Sequence, residues 1–222
     1  MIKAEQKPIA EIKAMIAPYN RVLILGCGTC VTISFAGGEK EVGLLASALR
    51  IATAMDGASK TFAEATVQRQ CEWEFIDAVA PQIKRVDAVV SLACGIGVQA
   101  LAERYPDKVI LPGVNTTFLG MAVEHGVLVE RCRACGDCVL GQTAGICPIA
   151  RCAKNLLNGP CGGSQRGKCE VNKELDCAWQ LIYDRLARLG QLDRLTAVMP
   201  PKDWSKDYDG GPRKIVREDL KL

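Results

Sequence analysis

Twelve of the 222 residues are cysteines, and thiolates at short repeated spacing are first of all ligands for soft metals. The densest run, CRACGDCVLGQTAGICPIARCAKNLLNGPCGGSQRGKCEVNKELDC, offers Cys132, Cys135, Cys138, Cys147, Cys152, Cys161, Cys169 and Cys177. Cys132, Cys135 and Cys138 form C-x-x-C-x-x-C, a three-point spacing suited to an iron–sulfur cluster, and Cys147 precedes Pro148. Tetrahedral zinc is usually held by C-x-x-C pairs and gains nothing from a third close cysteine, so the spacing favours [4Fe–4S] over zinc, with zinc in one or more sites as the alternative. Eight thiolates make two sites of four.

The spacing does not say how the eight divide. In two-cluster ferredoxins the cysteine before proline serves the other cluster. By that analogy Cys132, Cys135 and Cys138 recruit a distant fourth such as Cys177, which leaves Cys147, Cys152, Cys161 and Cys169 together. The other four cysteines are far apart: Cys27 and Cys30 in CGTC, then Cys71 and Cys94. Each lies at or just past the end of an expected strand. In an open parallel sheet all strand carboxyl ends share one edge, where ligands bind. Four thiolates gathered there make a third site for a cluster or for zinc. Glycines next to cysteines (Gly28, Gly95, Gly136, Gly162, Gly163) are expected to donate N–H groups to sulfur and so tune potential.

Other chemistry is sparse. With one histidine, His125, no Ser/His/Asp or Cys/His constellation can be built, and no catalytic residue is assigned. GGSQRGKC (162–169) nearly matches a phosphate loop, but has cysteine where the hydroxyl belongs and no strand before it. GIGVQA (95–100) follows a strand and opens a helix, yet the next strand ends without an acidic residue to hold a ribose. Asp137, Glu170 and Asp176 read as solvated charges among the cysteines.

The elements that must position these thiols alternate. RVLILGC (21–27) reads as a strand buried on both faces, followed by a helix over 38–52, a weaker strand over 61–68 and a helix over 72–86 kinked near Pro81. A strand over 87–94, a helix over 98–106 and a strand over 108–115 complete an α/β domain with a small parallel sheet, Rossmann- or flavodoxin-like, over residues 1–125. Residues 126–178 are a cysteine-rich, ferredoxin-like lobe that metal must order, since it lacks apolar periodicity. Residues 179–222 are expected as an amphipathic helix, reaching residue 195 with Leu181, Ile182, Leu186 and Leu189 on one face, and then an extended polar arm from Pro200. The helix and arm are candidates for partner contact.

Composition narrows the classes. Hydrophobic residues make up 49% and charged residues 24%, ordinary globular usage that excludes a disordered chain. No apolar run reaches the roughly 18 residues of a membrane span, and the charged start is not a secretory or transit segment; a cytoplasmic protein is expected. In a reducing compartment the thiols are metal ligands and not disulfides. The formal charge of +3 counts thiols as neutral, and three sites of about −2 each would bring it to about −3, so it is no sign of nucleic-acid binding.

The run CPIARCAKNLLNGPCGG, with CGTC, Cys71 and LACGIG ahead of it, resembles the methylenetetrahydrofolate reductase C-terminal family in its stand-alone form. The resemblance covers roughly residues 15–200 and is most specific over 132–171. It implies a small iron–sulfur subunit with all 12 cysteines as candidate cluster ligands in three [4Fe–4S] sites. It further implies that folate and flavin chemistry takes place on a TIM-barrel partner, to which this subunit passes electrons from a donor such as ferredoxin or a larger redox complex.

Overall fold

The computed structural model describes residues 1–217 and Asp219; the end of the expected 179–222 segment lies outside them. The chain divides into two compact units, Met1–Val129 and Glu130–Leu222.

In chain order the first unit contains β1 (Ile2–Gln6), α1 (Ile9–Met15), β2 (Arg21–Cys27), α2 (Cys30–Ile33), α3 (Glu39–Met55), β3 (Thr61–Val67), α4 (Trp73–Asp77), α5 (Ala80–Arg85), β4 (Ala88–Ser91), α6 (Gly95–Arg104), β5 (Val109–Pro112) and β6 (Val114–Glu124), and β7 (Val127–Cys132) begins in it. Four strands form a parallel sheet in the order β3-β2-β4-β5. The continuous apolar run of β2 is explained by its place at the centre. Val22 and Ile24 face a core with Ile12, Leu45, Leu49 and Phe62, while Leu23 and Leu25 face a second core with Ile76, Ile83, Val89 and Leu101. All four β2 residues are fully buried, and each contributes about 1.5–3 kcal/mol by leaving water.

The chain enters the sheet at β2, moves outward to β3, then returns past β2 to β4. The crevice at such a reversal, at the carboxyl ends of the two central strands, is the ligand position of open α/β sheets. Cys27 ends β2, and Cys94 follows β4 by three residues and caps α6.

Three expectations need correction. The strand expected over 108–115 is two strands: the chain leaves the parallel sheet at Gly113, where an added Cβ would lie 2.4 Å from the Leu92 side chain. From there β6 runs in a second sheet, β1-β6-β7, antiparallel to β1, so the domain is mixed and not purely parallel. Pro81 breaks the 72–86 helix outright, because it lacks an N–H and suits only the first turn of α5.

Among the described residues the second unit contains α7 (Pro148–Arg151), α8 (Ala178–Arg188) and three 3₁₀ turns, Leu192–Thr196, Trp204–Lys206 and Tyr208–Gly210. Its expected ferredoxin-like character rests on cysteine spacing alone. Its apolar cluster is small: Trp179, Ile182 and Leu186 of α8, with Leu156, Leu195 and Met199 against them. The helix is shorter than expected, ending before Gly190 at φ +66°, and Leu189 is exposed instead of sharing the buried face.

Candidate metal centre

At the sheet edge three of the four thiols of the first set come within electrostatic reach. Burial pushes the Cys71 thiol above its ordinary value, its own backbone N–H pulls it down, and the nearby Cys27, Cys94 and Glu72 charges raise it further. Cys27 and Cys94 are themselves buried, whereas Cys71 is exposed. Cys30 opens α2, three residues after Cys27.

The loops that carry these thiols are fixed by polar groups that sequence reasoning missed. Gln70 is fully buried. Its Nε2 donates to Leu25 O (2.8 Å) and Gly26 O (2.9 Å), and its Oε1 accepts from Ser91 Oγ at 2.6 Å. Ser91 Oγ in turn accepts from Ala93 N at 3.2 Å. One amide thus ties together the residues just before Cys27, Cys71 and Cys94. The CGTC turn is closed by Thr32 Oγ1 donating to Cys27 O (2.8 Å) and by Cys27 N donating to Gly37 O (2.8 Å). Gly37 must be glycine: a Cβ there would lie 1.9 Å from Leu92 O. The only sequence signals were a polar residue before Cys71 and a Gly-Gly pair.

In the second unit, turns replace strands. Backbone N–H groups are aimed at sulfur: Ala134 N at Cys132 (3.3 Å), Ala150 N at Cys147 (3.4 Å) and Gly163 N at Cys161 (3.5 Å). Ala134 reaches its position with φ +59°, outside the range most side chains prefer. The Cys169 thiol is held below its ordinary value by N–H groups of Asn172, Val171 and Ala153 and by the Lys154 charge, against a smaller opposing effect of burial. N–H donation to sulfur stabilises the thiolate, the form that binds metal.

The glycine expectation is only partly met. Gly163 does donate to Cys161, but Gly28 N donates to Val67 O (2.9 Å) and Gly95 N to Thr116 Oγ1 (2.8 Å).

The near-match to a phosphate loop is a hairpin turn. Gln165 and Lys168 bond reciprocally across Arg166 (φ +53°) and Gly167 (φ +78°), both left-handed as in a type I′ turn. The hairpin brings the segments of Cys169 and Cys177 side by side, through Cys169 N to Leu175 O (2.9 Å) and Cys177 N to Gly167 O (2.7 Å). Glu170 pairs with Lys154 and lies 3.7 Å from Cys161 Sγ. The neighbourhoods of Cys152, Cys161 and Cys169 are therefore joined, while Cys152 and Cys177 both border the Trp179 cluster. His125 packs on Phe35, ring centroids 5.0 Å apart.

As placed, no three His, Cys, Asp or Glu side chains among the described residues converge closely enough to hold one metal ion. The donor set still fits a thiolate-bound metal on two observations: three thiols share one sheet edge, and four of the eight thiols in the second unit accept backbone N–H groups.

The fold and the thiols define a cysteine-rich α/β protein with a parallel-sheet unit and a turn-rich unit. Residues 111–205 match the family model described as methylene-tetrahydrofolate reductase C terminal, which relates this part of the chain to methylenetetrahydrofolate reductases. Neither a curated protein nor a solved structure matches the chain. Among the described residues no helix is long and apolar enough to cross a membrane.

Proposed function

We propose that the chain is the electron-transfer iron–sulfur subunit of a cytoplasmic methylenetetrahydrofolate reductase complex. It relays electrons to the flavin of a partner catalytic subunit that reduces methylenetetrahydrofolate to methyltetrahydrofolate. The observation that carries this reading is that the family match at 111–205 spans the whole run of cysteines from Cys132 to Cys177. Cys27, Cys30, Cys71 and Cys94 would hold one [4Fe–4S] cluster and the other eight cysteines two more. Bound there, each cluster supplies one-electron uptake and release. The chain's own part is to hold the thiolates and direct N–H groups at Cys132, Cys147, Cys161 and Cys169. Catalysis belongs to the partner, and the upstream donor is ferredoxin or a larger redox complex.

The test is iron, zinc and acid-labile sulfide per chain on protein purified without oxygen. About 12 iron and 12 sulfide are expected, four of each for every four cysteines. The dithionite-reduced protein, freed of excess reductant, should then reduce the flavin of the partner subunit. About 3 zinc with no sulfide would overturn the reading and leave a structural docking subunit.

A further inference from the structure

The polar arm from Pro200, read from sequence as a partner contact, lies within the second unit on the loop that carries Cys132, Cys135 and Cys138. Lys202 is its anchor: its side chain is 1% exposed, and its Nζ donates to the backbone carbonyl of Asp137. Cys135 Sγ lies 4.0 Å from that same carbonyl oxygen. A buried ammonium and a ligand candidate thus meet on one atom. Lys206, Asp207 and Arg213 of the arm also meet this loop. Gly136, at φ +74°, lies so close to Lys206 O that a Cβ would come within 2.3 Å of it. Arg213 donates to Lys206 O and to Ala134 O, and Arg133 pairs with the buried Asp207 at 3.8 Å.

The charge on Lys202 is incompletely matched. Its hydrogen bond goes to a neutral carbonyl, the Trp204 ring faces it at 5.7 Å but carries no net charge, and its nearest carboxylate, Asp137, is partly exposed at 3.8 Å and faces Lys206 as well, at 3.9 Å. Burying an ammonium is costly unless an anion faces it. A thiolate-bound site at this loop is such an anion.

We infer that Lys202 is a positioning residue for the three-cysteine site: its buried ammonium offsets the thiolate charge beside Cys135 and raises the reduction potential of the cluster held there. The inference rests on the proposed iron–sulfur function. Its physical basis is that adding an electron to an already anionic cluster is easier next to a fixed cation, and the Lys202 side chain is itself shielded from water.

The test uses the full chain, purified without oxygen, first assayed for iron and then titrated with redox dyes and dithionite while each cluster is followed by electron paramagnetic resonance. The signal of this site is the one removed in Cys135→Ala. In Lys202→Met that signal alone should need a lower potential. At the wild-type midpoint its reduced-to-oxidised ratio should fall about tenfold, equivalent to about 59 mV for one electron. Lys202→Arg should restore it, and Lys206→Met, which removes an exposed cation, should change the ratio less than about twofold. If Lys202→Met loses the cluster, recovery in Lys202→Arg supports the inference and continued loss overturns it. Retained iron with all potentials unmoved overturns the role of Lys202 and leaves the electron-transfer reading intact. Wild-type protein without iron overturns both.

Discussion

The two cysteine sets are held in place by different physics. The first is carried on strand ends whose positions follow from apolar burial: Val22, Leu23, Ile24 and Leu25 are fully buried, and Gln70 braces the three loops from inside. The second is carried on turns around a small apolar cluster, and its order comes from N–H to sulfur contacts, a hairpin and the arm. A strand-edge arrangement of this kind needs no metal to form. On the proposed reading, a turn-built site would draw its folding energy from the metal itself.

The largest expected effect tests that contrast directly. Stripping metal under anaerobic chelation should erase hydrogen-exchange protection across 130–222, while β2 and β4 keep theirs. Equal loss in both units would break the comparison. Next comes the brace. Gln70→Ala removes a donor from Gly26 O and the acceptor of the Ser91 hydroxyl, while Leu25 O keeps Leu92 N at 2.8 Å, at a cost of about 2 kcal/mol. Metal analysis should then show loss of about four iron, all from the first set, with the other eight ligands still loaded. Unchanged iron would mean that the strand ends need no brace.

Thiol reactivity sharpens the same point. In metal-free native protein, alkylation of Cys71 should rise with pH through a midpoint above that of the denatured chain, because burial and neighbouring thiolates disfavour its reactive anion. Cys169, whose lowered value depends on turn N–H groups, should titrate as in the denatured chain once the second unit has lost its order. Peptide mapping after pulsed alkylation checks both. A Cys169 that keeps its lowered midpoint would show that the turns hold without metal.

Much of this contrast was legible in the sequence, and the illegible parts have physical reasons. The run RVLILGC announced a central strand because burial on both faces leaves no polar position. The strand ends then located Cys27 and Cys94. The sheet of β1, β6 and β7 escaped notice because IKAEQ and VNTTFLGMAVE mix exposed and buried positions without a clean period of two. Gln70 reads locally as a loop residue, since its partners are 21 to 45 positions away. Lys202 lies 65 residues from the carbonyl it meets, and no local pattern encodes that contact.

The smallest expected effect lies at the opposite end of the parallel sheet from the cysteines. Asp87, just before β4, accepts from Asn20 N (3.1 Å), Arg21 N (2.8 Å) and the Arg21 guanidinium, pinning the start of β2 to the start of β4. These bonds hold its carboxyl down to about 2. An ordinary aspartate titrates near 3.9 in an unfolded chain. The folded value is depressed, so the stabilisation is complete above about pH 4 and is lost as pH falls toward 2. The pair is solvent-exposed, which keeps the effect small. Asp87→Asn should therefore show a constant deficit against wild type above about pH 4 that shrinks toward zero by about pH 2, read from denaturation midpoints of the first unit's signal. A deficit independent of pH would assign the bond to packing and not to charge. In either case any metal bound by the second unit should not respond, because Asp87 acts on strands of the first unit.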